Sequence, residues 1–365
     1  MLVGIDASRA VSPRPTGTET YSQRLIAALL ALDSPHRFRL YFRTPPPPNA
    51  FPDAEIRVIP FPRLWTHVRL SWEMARHPPD LLFVPAHVLP PVRPPLSLVT
   101  VHDLGYLHFP QAHPLRQRLY LDLSTRWSVY VASEVIADSQ ATKADLMTRY
   151  GLEGQRVTVA YPGYDEELQP VRDPAVLAAV RARYGIPGDY FLYLGTLQPR
   201  KNLIRLVTAF AAVRPDLTLV LAGPRGWSSE ALLAHVRRLG LEQRVLFPGY
   251  VPASDKAALL SGALAFVFPS LYEGFGLPVL EAQACGCPVA CANTSSLPEV
   301  AGDGALLLHP EETAAWSAAL CRLADDPGLR AALVERGAAN LHRFSWQQCA
   351  RTVLQVIERH VRSND

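Results

Sequence analysis

No stretch of this 365-residue sequence stays apolar for anything near the roughly 18 residues of a membrane-spanning helix, and Met1-Leu-Val-Gly-Ile-Asp6 reads as a first strand rather than a leader peptide. A cytoplasmic protein is expected. Cysteine is scarce: five residues, at 285, 287, 291, 321 and 349, an odd number confined to the second half, which argues against a disulfide framework. With no histidine near the first three, they read as small buried hydrophobes rather than metal ligands. Charge nearly balances, at +3, and no recognition helix, zinc finger or aromatic ribonucleoprotein pattern is present, so no nucleic-acid partner is expected. Asp-x-Asp, a spacing that lets two carboxylates share a divalent ion, occurs nowhere; no metal and no cofactor are expected. Lysine is rarer still, with Lys143, Lys201 and Lys256 against 33 arginines.

What is present is a soluble α/β composition, 48% hydrophobic and 19% charged, long enough for two domains of about 150 to 200 residues. Short apolar runs predict strands at 2–7, 37–43, 55–61, 80–84, 96–101, 134–138 and 157–161, alternating with helices at about 18–32, 65–76, 114–133 and 141–150. The loop through Pro13, Pro15 and Gly17 separates the first strand from the first helix. The pattern breaks between Gly163 and Asp189 and resumes with strands at 190–196, 217–222, 245–247, 265–268, 288–292 and 305–308, then helices from about 311 onward. Strand and helix in alternation predict two Rossmann-like, doubly wound parallel sheets. The expected division is residues 1–167 and 168–345.

Chemistry concentrates where strands end. Glu273-Gly-Phe-Gly-Leu-Pro-Val-Leu-Glu281 follows the apolar run 265–268 and reads as strand, tight loop and helix. Gly274 and Gly276 permit the turn, and the first N–H groups of the helix then form a seat for phosphate. Two glutamates frame that seat, and carboxylates accept paired hydrogen bonds from vicinal hydroxyls. The dinucleotide fingerprint G-x-G-x-x-G is only half matched, since Val279 stands where its third glycine belongs. Arg200-Lys201, after strand 190–196, offers two cations to a diphosphate. His102-Asp103 ends strand 96–101, a fair place for a functional histidine.

These residues resemble the retaining glycosyltransferase family 4, enzymes of the GT-B fold in which two such domains face a central cleft. The likeness is carried by the E-x7-E of Glu273 and Glu281, by Leu194-Gly-Thr-Leu-Gln-Pro-Arg-Lys-Asn202, by Val101-His-Asp103 with Phe109-Pro110, and by Asn293-Thr-Ser-Ser-Leu-Pro-Glu-Val-Ala-Gly302. It spans nearly the whole chain, most closely in the manner of bacterial O-antigen and polysaccharide mannosyltransferases. It implies a nucleotide-sugar donor, with Arg200 and Lys201 on its diphosphate, Glu273 on the transferred sugar, Glu281 on the ribose, and His102 near the reacting carbon. Gly274, Phe275, Gly276, Leu277 and Val279 would form the phosphate seat, Gly17 would approach the donor phosphate and acceptor, and Gly223, Tyr250 and Val251 would read the base largely through backbone. Asp103 would support His102 or touch the acceptor. Thr196 departs from the family, many members having an arginine there. A helix from about 346 would cross back to the first domain.

The resemblance implies retention of anomeric configuration and cations in place of a metal. GDP-mannose is the first donor expected and a UDP-hexose the second, the acceptor being a glycan or a lipid-linked one. A sugar-nucleotide epimerase and a catalytically silent relative remain open. The helix with Trp65, Val68, Trp72 and Ala75 on one side, and His67, Arg69 and Arg76 elsewhere, reads first as a core element. Helped by Arg116, Arg118 and Arg126 on the next helix, it is also suited to lie on anionic lipid at the inner face of the membrane.

Overall fold

The computed structural model describes residues 1–12, 17–110, 114–227 and 229–362; Pro13 and Pro15 of the first loop lie outside them. The chain forms two compact units, Met1–Gly163 with Phe344–Asp365, and Tyr164–Arg343. The first holds seven strands, β1 (Leu2–Asp6), β2 (Arg37–Phe42), β3 (Glu55–Val58), β4 (Leu81–Val84), β5 (Leu96–Val101), β6 (Glu134–Ala137) and β7 (Val157–Val159). All pair in parallel in the order β3-β2-β1-β4-β5-β6-β7. Parallel strands are covered on both faces, which is why β4, Leu-Leu-Phe-Val, is apolar throughout and wholly buried. One apolar cluster fills each side of the sheet.

The first of these clusters is completed from the far end of the chain. Trp346, Cys349, Val353 and Ile357, on the last helix Trp346–Arg362, are buried among Val3, Leu25 and Leu29. A Cβ on Gly163 would sit 2.2 Å from the Trp346 nitrogen, so only glycine lets the last helix start there.

The second unit holds β8 (Tyr190–Leu194), β9 (Thr218–Ala222), β10 (Val245–Gly249), β11 (Ala265–Phe268), β12 (Val289–Ala292) and β13 (Ala305–Leu308), again parallel, in the order β10-β9-β8-β11-β12-β13. In both sheets the strand order reverses, about β1 and β4 in one and β8 and β11 in the other. Loops leaving two adjacent strands at such a reversal diverge and open a crevice for ligands.

Two expectations need correction. Strand β3 stops at Val58, not 61, because Pro60 has no N–H to donate to the ladder. The helix at 65–76 opens as a π-helix, Trp65–Leu70, before turning α-helical over Ser71–Arg76. Its wider turn breaks the 3.6-residue period and takes Trp65 off the expected apolar side: Trp65 is buried, its indole donating to the Ile59 carbonyl at 2.7 Å, while Val68, Trp72 and Ala75 are exposed.

Candidate active site

Strands β8 and β11 are direct neighbours, Phe191 beside Ala265 and Leu192 beside Phe266. The loops that follow them therefore run side by side, and residues 72 positions apart meet. After β8 a short 3₁₀ turn, Pro199–Lys201, ends at Asn202 with φ 58°, whose side-chain amide donates to the carbonyls of Pro269 (3.2 Å) and Pro310 (2.7 Å). That pins the turn against the end of β11. The Lys201 ammonium reaches Glu273 Oε1 at 2.5 Å and the Arg200 guanidinium reaches Oε2 at 3.0 Å, with a second bond from Arg200 to the Tyr272 carbonyl. Lys201 and Glu273 are both buried, and the ammonium lies 5.0 Å over the Phe268 ring.

Burial pushes the Glu273 carboxyl up, but the charges of Arg200 and Lys201 outweigh it and hold it at about 2. It is therefore ionised throughout the neutral range and a poor proton acceptor. The structure thus joins Arg200, Lys201 and Glu273 into one cluster. Two cations meet one carboxylate here, a combination whose chemistry suits a phosphate beside a sugar hydroxyl.

The loop beyond Glu273 is built to stay open. Gly276 holds φ 124° and a Cβ there would strike Leu297 at 2.9 Å. Ser295 Oγ accepts from the Glu273 N–H at 2.8 Å, and Ser296 Oγ donates to the carbonyls of Glu273 and Phe275 at 2.9 and 2.6 Å. This is what Asn293-Thr-Ser-Ser does, a role not assigned from sequence. The helix Leu277–Ala284 then begins with no side-chain cap, leaving its positive end toward the loop. Val279 is a correction: its side chain is wholly buried and its N–H bonds the Gly276 carbonyl at 2.9 Å, so neither is available to a ligand. Phe275 is buried, Gly274 lies inside the loop, and Leu277 is half-buried at the helix start.

Glu281 stands apart from this cluster and pairs with Lys256 at 2.8 Å, across from the helix Ala253–Ser261. Sequence reasoning missed Lys256, although its rarity was a signal. With Glu281→Gln the amide keeps the shape but loses the charge-assisted bond that fixes it. If Glu281 holds ribose, KM rises about tenfold while kcat stays within about twofold, the mark of lost uniform binding; an isothermal titration with free nucleoside diphosphate, showing a matching loss, checks it. Gly223 has its own reason to be glycine: at φ 139°, a Cβ would lie 2.1 Å from the Gly195 oxygen. Tyr250, 60% exposed, and Val251, half-buried, follow β10.

His102 and Asp103 belong to the first unit. Register decides the surroundings of His102, since β5 pairs with β6 so that Val101 faces Ala137, which puts Asp138 beside it. Its Nδ1 lies 2.6 Å from Asp138 Oδ2 and its Nε2 3.2 Å from the Pro85 carbonyl. Both partners are acceptors, a setting that favours the doubly protonated ring. Burial works against that charge; the Asp138 carboxylate overcomes it and raises the pKa. His87, 5.4 Å away, is held near 4 by burial and by its neighbour His102. Asp138 was not found from sequence.

Asp103 accepts from the Gly105 N–H at 2.8 Å and lines a cavity of about 500 Å³, together with Asp6, Arg9, Arg43, His87 and Trp65. Burial raises the Asp6 carboxyl despite the Ser8 hydrogen bonds. Gly17 begins the helix Gly17–Leu30, and a Cβ there would meet nothing within 4 Å, so the chain's own packing does not require glycine. Four of the five cysteines are buried and Cys321 is partly so; burial pushes the Cys285 and Cys291 thiols up to about 12, which makes them inert.

Comparison with known proteins agrees with this arrangement. The sequence model described as "Glycosyl transferases group 1" matches residues 181–340, and that described as "Glycosyltransferase Family 4" matches residues 15–168. The chain is 33% identical over 286 residues to the O-antigen chain mannosyltransferase B of Escherichia coli, covering 77% of this chain and 74% of that one. Among solved structures, a sucrose-phosphate synthase of Thermosynechococcus elongatus superposes with a TM-score of 0.79 at 22% identity over 99% of both chains. HepE of Anabaena, solved with UDP-glucose, gives 0.77 at 21% identity over 98% of this chain and 99% of that one. Two parallel-sheet units, matched family by family along their length, make this chain a group 1 glycosyltransferase of family 4, an enzyme of the GT-B fold.

Proposed function

We propose that the enzyme transfers a hexose, mannose from GDP-mannose, to a hydroxyl of a glycan or lipid-linked acceptor with retention of configuration, as a step in surface polysaccharide synthesis. The observation that carries it is the Arg200–Lys201–Glu273 cluster beside an uncapped helix N-terminus. Charge develops on the leaving diphosphate as the glycosidic bond breaks, and two fixed cations with a helix dipole stabilise it without reorganising. No metal is needed for that role in this reading. Glu273, held ionised near 2 by two cations, is too weak a base and too engaged to act as a nucleophile. The leaving phosphate therefore takes the acceptor's proton as the hydroxyl attacks from the same face. Mannose is supported by the likeness to the O-antigen chain mannosyltransferase B, at 33% identity.

A UDP-hexose is the second reading, favoured by the Anabaena fold relative solved with UDP-glucose. A thermal-shift panel of GDP-mannose, UDP-glucose, dTDP- and ADP-sugars, run in EDTA throughout, tests donor and metal independence together. A ligand present at 100 times its Kd adds about 2.7 kcal/mol to stability. GDP-mannose is expected to give the largest rise. A larger rise with UDP-glucose overturns the donor, and no rise without Mn²⁺ or Mg²⁺ overturns metal independence. Donor incubated without acceptor separates the classes: an epimerase alters the sugar, a transferase hydrolyses it slowly, and a silent relative returns it unchanged.

A further inference from the structure

The cavity lined by Asp103 is made of first-unit residues and sits where the strand order of that sheet reverses. Four strands that lie side by side each supply it with one polar residue from their carboxyl ends: Arg43 after β2, Asp6 at the end of β1, His87 after β4 and Asp103 after β5. Trp65, Tyr106 and Tyr120 line it as well. Two uncommon backbone features stand at the entry of Trp65 into this wall. Leu64 before it is held at φ 52°, and the turn that Trp65 opens is π-helical. Features of this kind persist where the surroundings over-determine them, and they gather at functional sites. At about 500 Å³ the cavity has the size of a small-molecule site, not of an ion site. Hydrogen-bonding groups combined with aromatic rings match a sugar, which carries hydroxyls around its edge and C–H groups on its faces.

The polar residues differ in what the fold already takes from them. His102 has both ring nitrogens engaged, by Asp138 and by the Pro85 carbonyl. His87, 5.4 Å from it, makes no hydrogen bond among the described residues, and its Nδ1 is shut from solvent without a partner. Burial and the neighbouring His102 keep His87 uncharged at neutral pH. Asp6 accepts from the Ser8 N–H at 3.0 Å and Asp103 from the Gly105 N–H at 2.8 Å, and neither carboxylate forms an ion pair among the described residues. The arginines, by contrast, are already met: Arg9 by Glu19 at 3.4 Å and Arg43 by the Pro62 carbonyl. A phosphate entering here would face two carboxylates, whereas a hydroxyl finds in them two acceptors.

We propose that this cavity selects an uncharged sugar as the group to be extended and turns away a phosphorylated one. His87 and Asp6 hold its hydroxyls, the aromatic residues cover a face of its ring, and Asp103 excludes the anion. A glycan end fits such a site and a bare lipid phosphate does not. That the bound sugar is extended rests on the transferase reading above; the selectivity does not.

The test is saturation-transfer NMR on the full chain without donor, with methyl α-mannoside and methyl α-glucoside as probes, each beside its 6-phosphate. At least one glycoside is expected to bind, and its 6-phosphate at least about tenfold more weakly, with a gap that narrows as salt is added. His87→Ala and Asp6→Asn are each expected to weaken the glycoside about fivefold or more. His87→Gln, which keeps a hydrogen-bonding group at that position, should recover part of the loss, and Asp103→Asn should close most of the gap between glycoside and phosphate. The melting temperature and the thermal shift with nucleoside diphosphate are expected to match the parent in all four variants, which separates a lost contact from a lost fold. Equal or tighter binding of the 6-phosphates overturns the proposal. So does a parent that binds none of the probes, or glycoside binding unchanged in both His87→Ala and Asp6→Asn. Glycoside binding as expected, with no shift from nucleoside diphosphate, condemns the transferase reading instead and leaves the selectivity standing.

Discussion

Lys201→Ala is expected to reduce kcat/KM by 10²- to 10³-fold, about 3 to 4 kcal/mol of transition-state stabilisation, the range found for deleting one preorganised donor. The ammonium is buried over Phe268 and is one of two cations placed where β8 and β11 open. Its removal leaves Arg200 alone to answer both Glu273 and a leaving diphosphate. Both partners of the site then suffer, so free nucleoside diphosphate should bind more weakly as well, and nucleoside, lacking phosphates, should not. Lys201→Arg restores charge without the compact ammonium and should recover only part of the rate. Steady-state kinetics with calorimetric binding of nucleoside and nucleoside diphosphate checks all three. Unchanged kinetics in a folded Lys201→Ala protein would sink the phosphate assignment.

Glu273→Gln should act in the opposite direction on the nucleotide. The carboxylate neutralises part of the charge on Arg200 and Lys201, so the amide frees both cations, and nucleoside diphosphate affinity is expected to hold or rise. Turnover should nevertheless fall about 10²-fold, because the transferred sugar loses an anion just as its ring gains positive charge. The same substitution reads out in stability. The folded pKa near 2 lies below the ordinary 4.5, so ionised Glu273 stabilises the fold above pH 4.5, and that contribution is lost as pH falls from 4.5 toward 2. At about 1.4 kcal/mol per pH unit between the two values, the contribution is about 3 kcal/mol. Urea unfolding across that interval should show the parent losing about that much more than Glu273→Gln does. Lost nucleotide binding in this variant would mean that the donor lies the other way round.

The strands were legible because parallel sheets bury both faces, so that runs such as Leu81-Leu-Phe-Val84 and Ala265-Phe-Val-Phe268 declare themselves without alternation. The Arg200, Lys201 and Glu273 cluster was legible as three strand-end residues, but not as one ion cluster, since nothing in the sequence says that β8 lies beside β11. Asp138 was hidden for the same reason: it meets His102 only through the β5–β6 register. The helix Leu115–Val131 shows a different limit, since its apolar residues Leu115, Leu119, Leu123 and Trp127 are exposed. A four-residue apolar period is the same whether the stripe faces a core or the outside, and only the polar residues on its other side, once packed, tell which. At Trp65 the period itself misled, because a π-helical turn places residues three and seven apart on different sides.

The helix Trp346–Arg362 makes the first unit discontinuous, closed by residues that lie beyond the whole of the second. Its apolar residues complete the core beneath β1. The second unit is contiguous, Tyr164–Arg343, and draws all its strands from that one stretch. The first unit has its whole sheet by Val159, yet it shares the cover of one face between the helix Gly17–Leu30 and the helix Trp346–Arg362. Closing that face brings together positions more than 300 residues apart, the costliest kind of contact for a folding chain to find. A truncation that removes the helix Trp346–Arg362 is thus expected to damage the unit that starts more than 300 residues before it.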